Sequence, residues 1–165
     1  MKKYIYLLII LIAFSSCKAQ VEPTQFSTEA LKDVFLTTSD SKNTFQDILN
    51  KHKGKAIVID VWASWCGDCL KGLPKVKTLQ AQFPEADYVF LSLDKKISSW
   101  KKGIEKHNIK GDHYYMQSGW KGDFGSFLDL DWIPRYLVVD KNQNITVFNA
   151  VSADDKNINK ALKPQ

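Results

Sequence analysis

Cys66 and Cys69, separated by Gly67 and Asp68, are the residues of this chain best suited to covalent chemistry. Two thiols at this spacing at the start of a helix can close a small disulfide ring, and the helix dipole and free backbone N–H groups favour the first thiolate. The spacing therefore points to thiol–disulfide chemistry. A zinc site would need about four ligands, and His52, His107 and His113 are too scattered to complete one, so no metal is expected. A c-type haem would want His directly after the second cysteine, where this chain has Leu70. On spacing alone, an inert structural disulfide stays open as an alternative.

A thiol pair needs rigid elements to aim it. Ala56-Ile57-Val58-Ile59-Asp60-Val61-Trp62 is a continuous apolar, β-branched run, the pattern of a central strand buried on both faces and interrupted by one carboxylate. After Cys66 the spacing turns helical, with Leu70, Leu73, Val76, Leu79 and Phe83 on one stripe, Pro74 as an internal kink and Pro84 at the end. Residues 88–93 read as a second buried strand, and Ile97, Trp100 and Ile104 stripe a Lys-rich helix ending near His107-Asn108. Upstream, residues 35–38 read as a short strand, and Asp40-Ser41 as the start of a helix carrying Phe45, Ile48 and Leu49 up to Gly54. Downstream, residues 113–116 read as a strand and Phe124, Phe127 and Leu128 as a helix. Residues 136–140 and 145–148 form a hairpin, and a last helix with Ile158 and Leu162 starts from Ser152. Strand, helix, strand with a fully apolar first strand argues for an α/β domain on a mostly parallel sheet.

The length of 165 residues and 25% charged residues fit one globular domain and exclude a disordered chain. At the N-terminus, Lys2 and Lys3 precede an apolar run from Tyr4 to Phe14, too short for the ~20 residues that cross a bilayer as a helix. A positive start, a short apolar run and small residues form a secretory signal peptide over residues 1–16. Phe14-Ser15-Ser16-Cys17 resembles the lipobox of bacterial lipoproteins, with Phe where Leu is usual; the resemblance implies acylation of Cys17 and a mature chain beginning there. Removing residues 1–16 lowers the net charge from +5 to 21 − 18 = +3. Residues 17–34, with no clear period, suit a tether between lipid and a domain spanning 35–165. Export places the chain in the cell envelope, outside the cytoplasm, where disulfides persist. The lysines between 95 and 121 read as a solvated helix face, so no nucleic-acid partner is expected.

The run from Ile57 to Cys69 resembles the thioredoxin superfamily without gaps, from the aspartate in the strand to the cysteines. Pro74 matches that family's helix-kinking proline, and Ile133-Pro134 its cis-proline loop before the terminal hairpin. The chain between the cysteines and Pro134 is longer than in minimal thioredoxins by about one helix and one strand. With the export signal, this is similar to the extracytoplasmic TlpA/ResA-like thiol-disulfide oxidoreductases. The resemblance implies a three-layer thioredoxin-like sandwich, a mixed, mostly parallel sheet flanked by helices, with an inserted helix–strand element before the cis-proline loop.

It also implies roles. Cys66, at the exposed helix end, is the nucleophile and Cys69 the resolving thiol, exchanging through a mixed disulfide with no separate cofactor. Asp60, its pKa raised by burial, takes the proton of Cys69, although a satisfied core carboxyl is the plain alternative. The Ile133 backbone beside Pro134 pairs with an extended substrate peptide, and Trp65 forms an apolar rim, while Trp62 packs in the core. Gly67 and Asp68 set the redox balance: Asp68 stands where cytoplasmic thioredoxins usually have Pro, and a carboxylate there should disfavour the Cys66 thiolate and make the couple reducing. The expected partners are exported disulfide-containing proteins and a membrane thiol electron donor, with attachment through the lipid on Cys17. An oxidase or isomerase with the same residues, or a non-catalytic thioredoxin-like binding module, are the rival readings.

Overall fold

A computed structural model describes residues 21–163. The expected signal peptide over residues 1–16 and the expected lipidation site Cys17 lie outside the described residues. The central strand β3 (Ile57–Trp62) is buried at all six positions, as its apolar run requires. It pairs in parallel with β4 (Asp87–Ser92), which pairs in parallel with β5 (Asp112–Met116). Helix α3 (Gly67–Gln82) crosses from β3 to β4, and α4 (Ile97–His107) from β4 to β5. The α4–β5 unit is the helix and strand expected between the cysteines and Pro134.

The rest of the sheet runs the other way. β1 (Val34–Thr37) pairs antiparallel with β5 and with β2 (Lys42–Thr44); β6 (Arg135–Val139) pairs antiparallel with β3 and with β7 (Ile145–Ala150). The order is β2-β1-β5-β4-β3-β6-β7. The sheet is mixed as expected, but parallel pairing is confined to β3-β4-β5, and the mostly parallel expectation does not hold. A buried run such as Tyr136–Val139 is apolar in either direction, so composition could not report its sense.

Side chains two apart on a strand share a face, so Asp60 and Trp62 point together. That face carries α3 and α4: the hydroxyl of Tyr136, cross-strand from Asp60, reaches Gly72 of α3, and Trp62 touches Gly103 of α4. The opposite face is covered by α1 (Thr28–Lys32), α2 (Phe45–Lys51) and α5 (Asp123–Phe127) around an aromatic cluster in which Phe45 and Phe124 lie 4.4 Å apart between ring centroids. Helix α6 (Lys156–Leu162) closes the chain.

Three further expectations are corrected. Part of the expected tether is folded: Phe26 is buried against Phe45 at 4.7 Å and Phe127 at 5.5 Å, and Ser27 caps α1. The domain therefore starts well before residue 35; a helix of five residues is too short to show a period. The helix expected from Asp40-Ser41 starts at Phe45, because Asp40 sits in a left-handed turn (φ 64°) and Thr44 caps the helix in a reciprocal box with Asp47. The last helix starts at Lys156, where the Asp155 side chain accepts from the Asn157 N–H.

Candidate active site

Strand β3 ends at Trp62, the loop Ala63–Trp65 turns outward, and Cys66 becomes the N-cap of α3. The thiol pair thus sits where a rigid strand delivers the chain to a helix N-terminus. Cys66 and Cys69 are joined as a disulfide with Cα atoms 5.3 Å apart, and Cys66 Sγ accepts a hydrogen bond from the Cys69 N–H at 3.0 Å. That bond is the local stabilisation a helix end offers to negative charge on sulfur. Cys66 is 6% exposed and Cys69 3%, so in the disulfide form the first sulfur is far less open than a helix end suggests. Neighbouring loops cover it.

One such loop is Ile133-Pro134, whose peptide bond is cis. Its Ile133 carbonyl lies 3.6 Å from Cys66 Sγ, placing a backbone acceptor directly beside the reactive sulfur. Ile133 and Pro134 are themselves buried, while Trp132 before them is 59% exposed. Trp65 is 54% exposed, whereas Trp62 is 1% exposed and packs in the core.

Asp60 is 4% exposed, and burial pushes its carboxyl up to about 8, against a smaller opposing pull from the Tyr136 hydroxyl. A carboxyl there titrates in the range of a thiol, the condition for exchanging a proton with one. Burial first, then the negative charge of Asp60, keeps the Tyr136 phenol protonated far above its ordinary range. Gly67, the first residue of α3, is exposed, with open space where a Cβ would stand. Asp68, also exposed, is 3.2 Å from Lys71. The ammonium partly cancels that carboxylate, so its influence on Cys66 is smaller than a bare charge would exert.

Beside the disulfide, a groove of about 340 Å³ runs between α3 and the cis-proline loop, lined by Gly72, Lys75, Trp132, Pro134 and Val151 among others. The profile of the thioredoxin-like family matches residues 54–145, more than half of the chain, including Asp60, both cysteines and the cis-proline loop. The chain belongs to the thioredoxin-like family. A Haemophilus influenzae protein is 36% identical over 70 residues, covering 37% of this chain and 45% of its own. The chloroplastic thioredoxin F1 of Arabidopsis thaliana is 39% identical over 57 residues, covering 34% and 31%. The chain thus spans less than half the length of these curated relatives. A solution structure of a Bacteroides vulgatus protein described as a thiol-disulfide oxidoreductase superposes with a TM-score of 0.64 at 28% identity, over 78% of this chain and 82% of that one. The fold, the family and the cysteine pair are those of an oxidoreductase domain.

Residues of this thioredoxin-like domain that sequence reasoning passed over also serve the site. Asp94, just past β4, accepts from the Ser64 N–H at 2.9 Å, the Ser64 hydroxyl at 2.6 Å and the Ser92 hydroxyl at 2.9 Å. It ties the loop before Cys66 to the neighbouring strand. Gly103 lets α4 approach that loop, since a Cβ there would stand 2.7 Å from Ser64 Cβ. Arg135, directly after Pro134, is buried and donates to the Leu128 carbonyl at 3.0 Å and Asp131 at 3.2 Å, bracing the segment that carries Trp132 and Ile133. A polar residue flanking Pro134 was the available signal for Arg135; the pairing of Asp94 with Ser64 needs the β3–β4 register.

Proposed function

We propose that this chain reduces disulfides of exported proteins through Cys66 and Cys69. The observation that carries the reading is the Cys66–Cys69 disulfide at a helix N-terminus, with the Ile133 carbonyl at 3.6 Å and the buried Asp60 on the strand leading into it. In the reduced form the Cys66 thiolate attacks a substrate disulfide, forming a mixed disulfide and releasing one substrate thiolate, which takes a proton from water. Cys69 then gives its proton to the Asp60 carboxylate and attacks Cys66 Sγ. The second substrate thiolate leaves, and two electrons have passed from the dithiol to the substrate.

Reduction of the pair reverses the proton's path. When a thiol donor opens the Cys66–Cys69 disulfide, a protonated Asp60 can supply the proton for the departing Cys69 thiolate. With its carboxyl near 8, Asp60 holds that proton through neutral pH in the disulfide form. The donor is a membrane thiol carrier, and the dithiol is itself the redox centre. The substrate is an extended peptide lying along the Ile133 backbone, with Trp65 as an apolar rim. Lipid on Cys17 and cleavage of residues 1–16 hold the chain at the extracytoplasmic face of a membrane, through a tether shorter than the 18 residues of 17–34 because folding reaches back to Phe26. Asp68 tilts the couple toward reduction, damped by Lys71.

The direct test is insulin-disulfide reduction by the full mature chain with dithiothreitol as donor. Activity that Cys66→Ser abolishes supports the reading. A folded protein whose rate is unaffected by Cys66→Ser would make it a binding module instead. A Cys69→Ala variant should hold the native substrate on Cys66 as a mixed disulfide.

A further inference from the structure

The buried carboxyl that serves the thiol pair has its polar company on one side only. Among the described residues Asp60 Oδ1 has no hydrogen-bond partner, and the residue opposite Asp60 on β4 is Phe90, which offers none. On β6 the residue opposite is Tyr136. Directly opposed side chains of an antiparallel pair stand on the same face with Cβ atoms about 5 Å apart, so phenol and carboxyl are neighbours by register. The Tyr136 ring is 1% exposed, yet its hydroxyl reaches across to α3, where a Cβ on Gly72 would lie 3.4 Å from it. Gly72 is the residue one turn after Cys69, and an alanine methyl there would come into van der Waals contact with the phenolic oxygen. Tyr136 and Gly72 also line the groove beside Pro134. The hydroxyl therefore lies between an almost wholly buried carboxyl and a groove open to solvent.

We propose that Tyr136 is the positioning residue of the proton step, its hydroxyl orienting the Asp60 carboxyl and linking it to the groove through which the Cys69 proton is exchanged with solvent. This rests on the reading of Asp60 as proton acceptor. In resolution the Cys69 S–H bond breaks and an O–H bond forms on Asp60. That proton then passes to the phenolic oxygen as the phenol's own proton leaves for water in the groove. Tyr136 ends as a neutral phenol and Asp60 as a carboxylate; one proton has moved outward and no electrons have. The hydroxyl favours the ionised carboxylate, in the direction the step needs. Other charges facing this path are Asp68, Lys71, Lys75 and Asp154, and they pair off, Asp68 with Lys71 at 3.2 Å and Asp154 with Lys75 at 2.8 Å. Their summed field on Asp60 is small, which leaves the phenol as the main polar influence.

Tyr136→Phe keeps the ring and removes only the hydroxyl. In the disulfide form of the mature chain, the 13C carboxyl resonance of Asp60 should titrate near 8, and in Tyr136→Phe its midpoint should rise by about one pH unit. In the unsubstituted protein the Tyr136 Cζ resonance should titrate with the same midpoint. The rising limb of the insulin-reduction pH profile should shift upward with it, slowing turnover at pH 7 roughly tenfold. In an Asp60→Asn background the same substitution should change turnover by less than about twofold. An unmoved Asp60 midpoint, a flat Cζ trace, or an equal rate loss in both backgrounds would overturn the inference. If Asp60→Asn alone turns over at the parent rate, the role of Asp60 falls and the relay with it, whereas the two titrations still report whether carboxyl and phenol are coupled.

Discussion

Asp60 and Tyr136 stand directly opposite each other in the antiparallel β3–β6 pair, so that a buried carboxyl and a buried phenol share the sheet face on which the active-site helix lies. The strand before Cys66 and the strand after Pro134 are therefore one unit, and the chemistry of the cysteines draws on both.

Asp60 makes stability depend on pH. Its carboxyl is raised to about 8 in the fold and returns to about 3.9 when unfolded, so the folded state holds a proton that the unfolded chain releases. Its favourable contribution is complete below pH ~4 and is lost as pH rises to ~8, on the order of 5 kcal/mol over the whole window. Asp60→Asn, which cannot ionise, should flatten the fall in urea-unfolding free energy between pH 5 and 8 by a few kcal/mol. Parallel slopes for the two proteins would show that Asp60 is not held protonated.

Asp94 should matter more than its distance from the sulfurs suggests. Asp94→Ala leaves the Ser64 N–H and two hydroxyls without their acceptor, a loss of roughly 2–4 kcal/mol in stability. Because the freed loop carries Trp65, KM for insulin should rise more than kcat falls. An unchanged KM would mean that the loop is held by other contacts.

Gly103→Ala would set a methyl 2.7 Å from Ser64 Cβ, so α4 or the loop must move. We expect a loss of about 1–3 kcal/mol in thermal or urea unfolding, as for overpacked cores. A neutral result would indicate slack between α4 and the loop.

Trp132→Ala and Val151→Ala remove exposed apolar side chains beside the groove. Stability should change little, since neither is buried, while KM for a protein disulfide should rise severalfold and reaction with a small disulfide such as oxidised glutathione should not. Equal effects on both substrates would place these residues outside the substrate surface.

Much of this architecture was legible in the residues. The run Ile57–Trp62 is apolar enough to be a central strand, and the Cys66/Cys69 spacing after it, with Pro74 and Ile133-Pro134, pointed to the family. What the chain could not show on its face was pairing. Tyr136 reads as one more apolar strand residue until β6 is known to run antiparallel to β3, and Asp94 reads as a strand end until Ser64 is seen bonded to it. The segment around Phe26 looked like a tether because five helical residues carry no period; its anchoring comes from aromatic contacts with Phe45 and Phe127, distant in sequence.

The redox potential of the Cys66–Cys69 couple tests the central claim most directly. After equilibration of the mature chain with glutathione buffers, a reductase of exported proteins should give a value well below about −180 mV, toward the thioredoxin range near −270 mV. A value above about −180 mV would contradict the account and make the same site an oxidase or isomerase.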